Sequence, residues 1–274
     1  MNSQTPVFEL RQVTQQLGRV LALSNINLQI YPGQRVALVG SSGAGKSTLL
    51  QLLNGTLRPS QGEVWVWGRN FNRSSARQRR QVQRQIGTVY QQLHLVNTLR
   101  VIHNVNAGHL GHWPFFKAAL SLIYPLAVET ATQALQQVGI PEKLYVRTDQ
   151  LSGGQQQRVA IARVLVQDPL VILADEPVSS VDPELSRAIM NLLQELVQTT
   201  GKTLVVSLHD LDLALSHCDR IIGLQTGKIL FDAPAAEVSA EMIRRLYGVK
   251  RQYGKAAEEV LSLGSSFSRD QLIG

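Results

Sequence analysis

The sequence is poor in cysteine, in aromatic residues and in long apolar runs. Cys218 is the one cysteine in 274 residues. It has no internal disulfide partner and cannot anchor a cysteine-rich zinc site, so a reducing compartment is expected. Aromatic residues make up 5% of the chain. The densest basic run, Arg69, Arg73, Arg77, Arg79, Arg80 and Arg84, has only Phe71 interleaved, which disfavours a base-stacking platform; nucleic acid is not an expected partner. The longest uncharged apolar stretch, Ala118 to Val128, falls short of the roughly 20 residues that span a bilayer. Met1 to Leu10 lacks the basic and apolar regions of a signal peptide. The expectation is a soluble intracellular protein.

What is present fits a folded chain of one large or two modest domains. Hydrophobic residues make up 44% and charged ones 17%, which argues against disorder. There are 27 Lys and Arg against 20 Asp and Glu, a net charge of +7, and the arginine run is read as a solvated helical segment.

Val7 to Val13 and Leu21 to Ile30 read as strands, closed by Tyr31-Pro32-Gly33-Gln34. Arg35 to Val39 is a short apolar run suited to a buried strand, and Lys46 onward has helical spacing at Leu49, Leu50 and Leu53. Gly62 to Gly68 alternates as a hairpin strand, with Trp65 and Trp67 expected on one packed face. From Leu93 to Arg158 the pattern is helical, including an amphipathic stretch from Glu129 to Val138 stopped by Gly139-Ile140-Pro141. Val171 to Ala174 and Thr203 to Ser207 are again strands, flanking a helix from Pro183 to Thr200 with Gly201 past its end. Alternating strands and helices imply an α/β fold with a parallel sheet, interrupted by a helical insertion. Beyond Tyr247, a short helix at Gly254 to Glu259 and a loose stretch at Gly264 to Ser266 are expected.

Three motifs carry chemistry. Gly40-Ser41-Ser42-Gly43-Ala44-Gly45-Lys46-Ser47-Thr48 is a P-loop between strand and helix. Its glycines let backbone N–H groups converge on phosphate, Lys46 suits the β- and γ-phosphates, and the Ser47 hydroxyl suits Mg²⁺. Val171 to Ala174 ends in Asp175 and Glu176. A carboxylate at that strand tip sits beside a P-loop, so Asp175 is expected to hold Mg²⁺ directly or through water, and Glu176 is a candidate base for an attacking water. Leu151-Ser152-Gly153-Gly154-Gln155 opens a helix, with Ser152 as N-cap and two glycines exposing further N–H groups to an anion. His94, His103, His109 and His112 are loosely spaced, with no carboxylate or cysteine to complete a metal set; satisfied or exposed histidines are expected. Cys218 is expected to be a small buried residue.

On these motifs the chain resembles the ATP-binding subunits of ABC transporters, Leu151 to Gln155 matching that family's signature motif. The resemblance covers about residues 7 to 232. It implies a P-loop (RecA-like) core with a parallel sheet, an antiparallel β subdomain and an α-helical subdomain. It also implies one cassette over 7–247: core and β subdomain at about 7–90 and 159–232, helical subdomain at about 92–158, and an unassigned tail at 248–274. The family pairs two such subunits head to tail, so Ser152, Gly153, Gly154 and Gln155 face the ATP held by the partner's P-loop. Gln91 matches a glutamine that senses Mg²⁺, water and the transmembrane partner. Ser180-Val181-Asp182 matches a loop crossing the dimer, and His209 a histidine contacting the γ-phosphate. The family's adenine-stacking aromatic is missing near Leu17, which offers apolar contact instead.

Gly108 to Gly111, Tyr124 to Leu126, Leu151 to Arg163 and Leu173 to Val178 further resemble the phosphonate importers of bacteria, although Thr148 stands where that group often has alanine. Trp113-Pro114-Phe115-Phe116 and Leu120 to Leu126 then either approach the membrane partner or pack within the helical subdomain. The resemblance implies an ATPase using Mg²⁺ on the cytoplasmic face of the plasma membrane, as a homodimer with transmembrane permease subunits and, indirectly, a solute-binding protein. The cargo is phosphonate or a related phosphorus oxyanion. The other reading is an ABC ATPase that works with soluble enzymes and moves no solute.

Overall fold

The computed structural model describes residues 5–121, 124–179 and 181–248. A six-stranded sheet has the order β10-β9-β3-β8-β7-β6, built from β3 (Arg35–Val39), β6 (Ile86–Val89), β7 (Val171–Asp175), β8 (Thr203–Leu208), β9 (Arg220–Gln225) and β10 (Lys228–Pro234). Its strands run parallel except β10, which returns antiparallel to β9. A four-stranded antiparallel sheet, β2-β1-β4-β5, packs against it, formed by β1 (Phe8–Leu17), β2 (Val20–Ile30), β4 (Gln61–Val66) and β5 (Arg69–Asn70).

The uninterrupted apolar runs of the large sheet follow from burial on both faces. Along β3, Ala37 and Val39 enter one core while Val36 and Leu38 enter the other. β7 divides likewise, Ile172 and Ala174 against Val171 and Leu173. The first core lies under α5 (Val128–Gln137), α6 (Gly153–Gln167), α7 (Pro183–Thr200) and α8 (Leu211–His217). The second is closed by the antiparallel sheet and α1 (Lys46–Leu53). Gly201 ends α7 with φ 64°, the left-handed conformation that glycine adopts without a Cβ penalty.

The remaining described helices are α2 (Ala76–Gln83), α3 (Val101–Asn106), α4 (Phe115–Ser121) and α9 (Ala240–Tyr247), with short 3-10 turns including Ala107–Gly111. α6 runs unbroken through residue 158. No described helix is long and apolar enough to cross a membrane. The stretches expected at Gly254 to Glu259 and Gly264 to Ser266 lie outside the described residues.

Two expectations are corrected. Trp67 does not share a strand face with Trp65: β4 ends at Val66, and Trp67 turns the chain with φ 47°. Trp65 lies opposite the buried Val64 and Val66, under the Arg11 guanidinium 4.6 Å from its ring centre. The arginine run is also not one helix. Arg69 is in β5 and Arg73 in the following loop, and only from Ala76 does α2 form, opened by a Ser75–Gln78 capping box.

Candidate functional site

Four neighbouring strands deliver the site at their carboxyl ends, the crevice where open α/β sheets bind ligands. β3 leads into the Gly40–Gly45 loop, β7 ends on Asp175, β8 continues to His209, and β6 is followed by Gln91. The loop is shaped by close approaches. A Cβ on Gly40 would lie 2.2 Å from the Leu224 carbonyl oxygen, and one on Gly45 would lie 2.7 Å from that of Ala22. Gly227 braces the loop from outside, donating to the Ala44 carbonyl (3.1 Å) and accepting from Ser24 N–H (2.8 Å).

Lys46 is buried and donates from Nζ to the carbonyls of Gly40 (2.9 Å) and Ser41 (3.3 Å). Burial pushes its ammonium below the usual lysine range, and the Glu176 and Asp175 carboxylates pull it partway back. No side chain caps the start of α1. Its first-turn N–H groups and Lys46 therefore form a positive niche suited to phosphate.

Ser47 Oγ donates to Asp175 Oδ1 (3.0 Å), and Ser207 Oγ donates to the same oxygen (2.7 Å). Ser207 also accepts from the Glu176 N–H (2.8 Å). The grouping of Ser47 and Asp175 is oxygen-only and hard, the donor chemistry that suits Mg²⁺. Glu176 is mostly buried and has φ 47°, an uncommon conformation for this residue type. Three residues meet its carboxylate: Lys46 Nζ at 3.7 Å, His209 Nε2 at 2.5 Å and Gln91 Nε2 at 3.1 Å. Gln91 thus faces Glu176 rather than the Ser47–Asp175 pair. Its loop is anchored by Arg163 of α6, which donates to the carbonyls of Leu93 and His94, both at 2.8 Å.

Other motif residues lie apart from this cluster. Ser152 caps α6, its hydroxyl accepting from Gln155 N–H (3.3 Å) while Gln155 Oε1 accepts from Ser152 N–H (3.1 Å). Gly153 is exposed and a Cβ there would meet nothing, whereas one on Gly154 would lie 2.2 Å from Leu185 Cδ2 of α7. Leu17 is 42% exposed at the end of β1. Asp182 caps α7 by accepting from Leu185 N–H (2.9 Å); Ser180 lies outside the described residues.

Ser207 and Gly227 are site residues that motif reading passes over. Ser207 had a signal, a hydroxyl directly after the apolar run Leu204 to Val206, but its registry with Asp175 appears only once β7 and β8 pair. Thr148 is fully buried, donating to the Leu99 carbonyl (3.0 Å) and accepting from Asn104 Nδ2 (2.9 Å), so its hydroxyl is satisfied there. Cys218 is buried, and burial pushes its thiol up to about 12. Among the scattered histidines, His103 Nδ1 pairs with the Ser121 carbonyl (2.9 Å). His109 departs from expectation: it stacks on Trp113, and its Nε2 is buried without a hydrogen-bond partner.

The family model described as ABC transporter matches residues 23–179. The "Phosphonates import ATP-binding protein PhnC 3" of Halalkalibacterium halodurans is 46% identical over 228 residues, 83% of this chain and 88% of that protein. The corresponding protein of Pseudomonas fluorescens is 47% identical, over 83% and 86%. Among solved structures, cbiO1 from Clostridium perfringens, part of the ABC transporter complex cbiONQ, superposes with a TM-score of 0.74 at 29% identity, over 93% of this chain and all of that one. The dimeric ATP-binding cassette MJ0796 bound to ADP and Pi gives a TM-score of 0.71 at 32% identity, over 83% and 98%. With its strand-end cluster, its fold and these relatives taken together, the chain belongs to the ABC transporter family and has the fold of that family's ATPase cassettes.

Proposed function

We propose that the chain is the ATP-hydrolysing subunit of an importer for phosphonate or a related phosphorus oxyanion. It would act as a homodimer on the cytoplasmic face of the plasma membrane, beneath transmembrane permease subunits supplied by a solute-binding protein. The observation that carries the ATPase reading is the Glu176 carboxylate gathered among Lys46, His209 and Gln91, beside the Ser47–Asp175–Ser207 oxygens. The names of the relatives support the cargo.

In this reading the Gly40–Thr48 backbone and Lys46 hold the phosphates of ATP, and Leu17 lays apolar surface against the base. Ser47 and Asp175 would hold Mg²⁺, with Gln91 reaching its edge from the Glu176 side, and the ion would supply neutralisation of phosphate charge when bound. Glu176 orients a water and takes its proton as the oxygen attacks the γ-phosphorus and the bond to the bridging oxygen breaks, leaving ADP. Lys46 stabilises the charge that develops, and His209 contacts the γ-phosphate. Ser152, Gly153, Gly154 and Gln155 complete the partner's site. The Gln91 loop passes closure and opening to the permease. We assign the single cassette to residues 7–247, with the helical subdomain at about 92–158.

The test is co-purification of the tagged chain from its native membranes in mild detergent, followed by mass spectrometry. A multispanning permease with a solute-binding protein that binds phosphonates is the expected result. Soluble enzymes with no permease would overturn the transport reading and leave an ATPase.

A further inference from the structure

Residues 64–128 contain eight Lys and Arg, namely the six arginines from Arg69 to Arg84 with Arg100 and Lys117, and no Asp or Glu. Taking these from the 27 leaves 19 basic against 20 acidic side chains elsewhere, so the chain's positive charge resides in this one segment. Among the described residues, the only ion pair these eight make is Arg73 with Glu63, at 3.6 Å.

The same segment carries an uncovered apolar tip. Phe115 is 89% and Phe116 74% exposed at the start of α4, with Leu120 and Tyr124 also exposed. Packing within the helical subdomain therefore does not account for this aromatic pair, and adjacent phenylalanines this open mark an interaction surface. The two features adjoin. Arg80 of α2 and Arg84, which caps its C-terminus, line one hollow of about 420 Å³ with Leu110, Gly111 and His112. From there the chain runs into α4 through Trp113, which stacks on His109 at 4.7 Å and lies under Lys117 Nζ at 4.9 Å.

We propose that α2 and α4 form a surface that binds anionic phospholipid headgroups directly, independently of any permease. Arginines along α2 match phosphate charge, and Phe115 and Phe116 enter the headgroup–acyl boundary with Lys117 remaining at the headgroups. Charge complementarity and the apolar tip together favour this occupant. A nucleic acid satisfies the arginines but leaves both phenylalanines in water. The inference goes beyond the transport reading and does not depend on the cargo.

The test is sedimentation of the full chain with vesicles of phosphatidylcholine, alone or with about 30% phosphatidylglycerol, at low and high salt. Binding to the anionic vesicles, weakened by salt and nearly absent on phosphatidylcholine, is expected. Phe115→Ser/Phe116→Ser is expected to weaken it about tenfold, and Arg77→Gln/Arg80→Gln/Arg84→Gln by about tenfold to a hundredfold. ATPase activity of both variants should be unchanged, which shows that the fold and the nucleotide site survive. No vesicle binding, equal binding of the phenylalanine variant, or preference for duplex DNA insensitive to Phe115 and Phe116 would each overturn the proposal. A chain held at membranes only through its permease would do the same, while leaving the ATPase reading standing.

Discussion

The two glycine-bearing loops of this chain are built on opposite principles. The Gly40–Gly45 loop is fixed by its own chain: Leu224 and Ala22 press on its glycines, Lys46 bonds across it, and Ser47 reaches Asp175. The Ser152–Gln155 loop is held by its reciprocal cap and by Leu185 of α7 against Gly154, and leaves Gly153 facing open space. One loop is finished within a single copy. The other carries N–H groups at a helix start that nothing on the first loop approaches, as expected if its phosphate belongs to a second copy.

The sharpest way to test the finished half is at its centre. Glu176→Gln removes the group that accepts the proton while keeping its shape and its contact with Gln91. Turnover is expected to fall about 10²–10⁴-fold with ATP binding retained, read by single-turnover hydrolysis and nucleotide titration. Near-normal turnover would move the role of base to another residue.

The unfinished half is tested by mixing. Lys46→Ala disables one loop. Ser152→Asp keeps an N-cap residue on α6 but sets a negative charge where a phosphate would lie. Each variant alone should be nearly inactive. An equal mixture should regain up to about one quarter of the wild-type rate, because half of random pairs are mixed and each mixed pair keeps one intact site of two. No recovery would mean that both loops serve a nucleotide within one chain.

The glycines give a contrast in stability. Gly40→Ala drives a Cβ into the Leu224 backbone at φ 152° and should cost about 2–3 kcal/mol in chemical denaturation. Gly153→Ala meets nothing and should stay within about 0.5 kcal/mol. A loss of ATPase activity in Gly153→Ala without loss of stability would then originate outside the chain. Marked destabilisation would mean that this loop, too, is shaped from within.

The strands of the large sheet were legible because burial on both faces leaves them uniformly apolar, and β3 and α7 begin and end where the sequence places them. The P-loop and the Asp175–Glu176 pair were legible because phosphate and divalent-cation chemistry restrict residue type and spacing. What the sequence hid depends on pairing across long separations. Ser207 meets Asp175 only through β7–β8 registry, and Gly227 meets Ala44 only because the β9–β10 turn folds over the loop. Trp67 was misplaced because alternation alone does not show where a strand yields to a turn.

Ser207 makes the finished half sensitive to a residue that touches no substrate. Its hydroxyl donates to Asp175 and accepts from the Glu176 N–H, so one buried oxygen orients both acidic residues. Ser207→Ala leaves that N–H without its acceptor and lets the Asp175 carboxylate turn, a loss of about 1–2 kcal/mol by denaturation. Ser207→Thr keeps the hydroxyl and should recover most of it if the added methyl fits. Because the residue positions rather than reacts, turnover in Ser207→Ala should fall about tenfold, with a rise in the Mg²⁺ concentration needed for half-maximal rate. A structural role alone predicts the stability loss without the Mg²⁺ shift. An unchanged Mg²⁺ dependence would therefore detach Ser207 from the metal-binding side of the cluster and leave it as a brace for the Glu176 backbone.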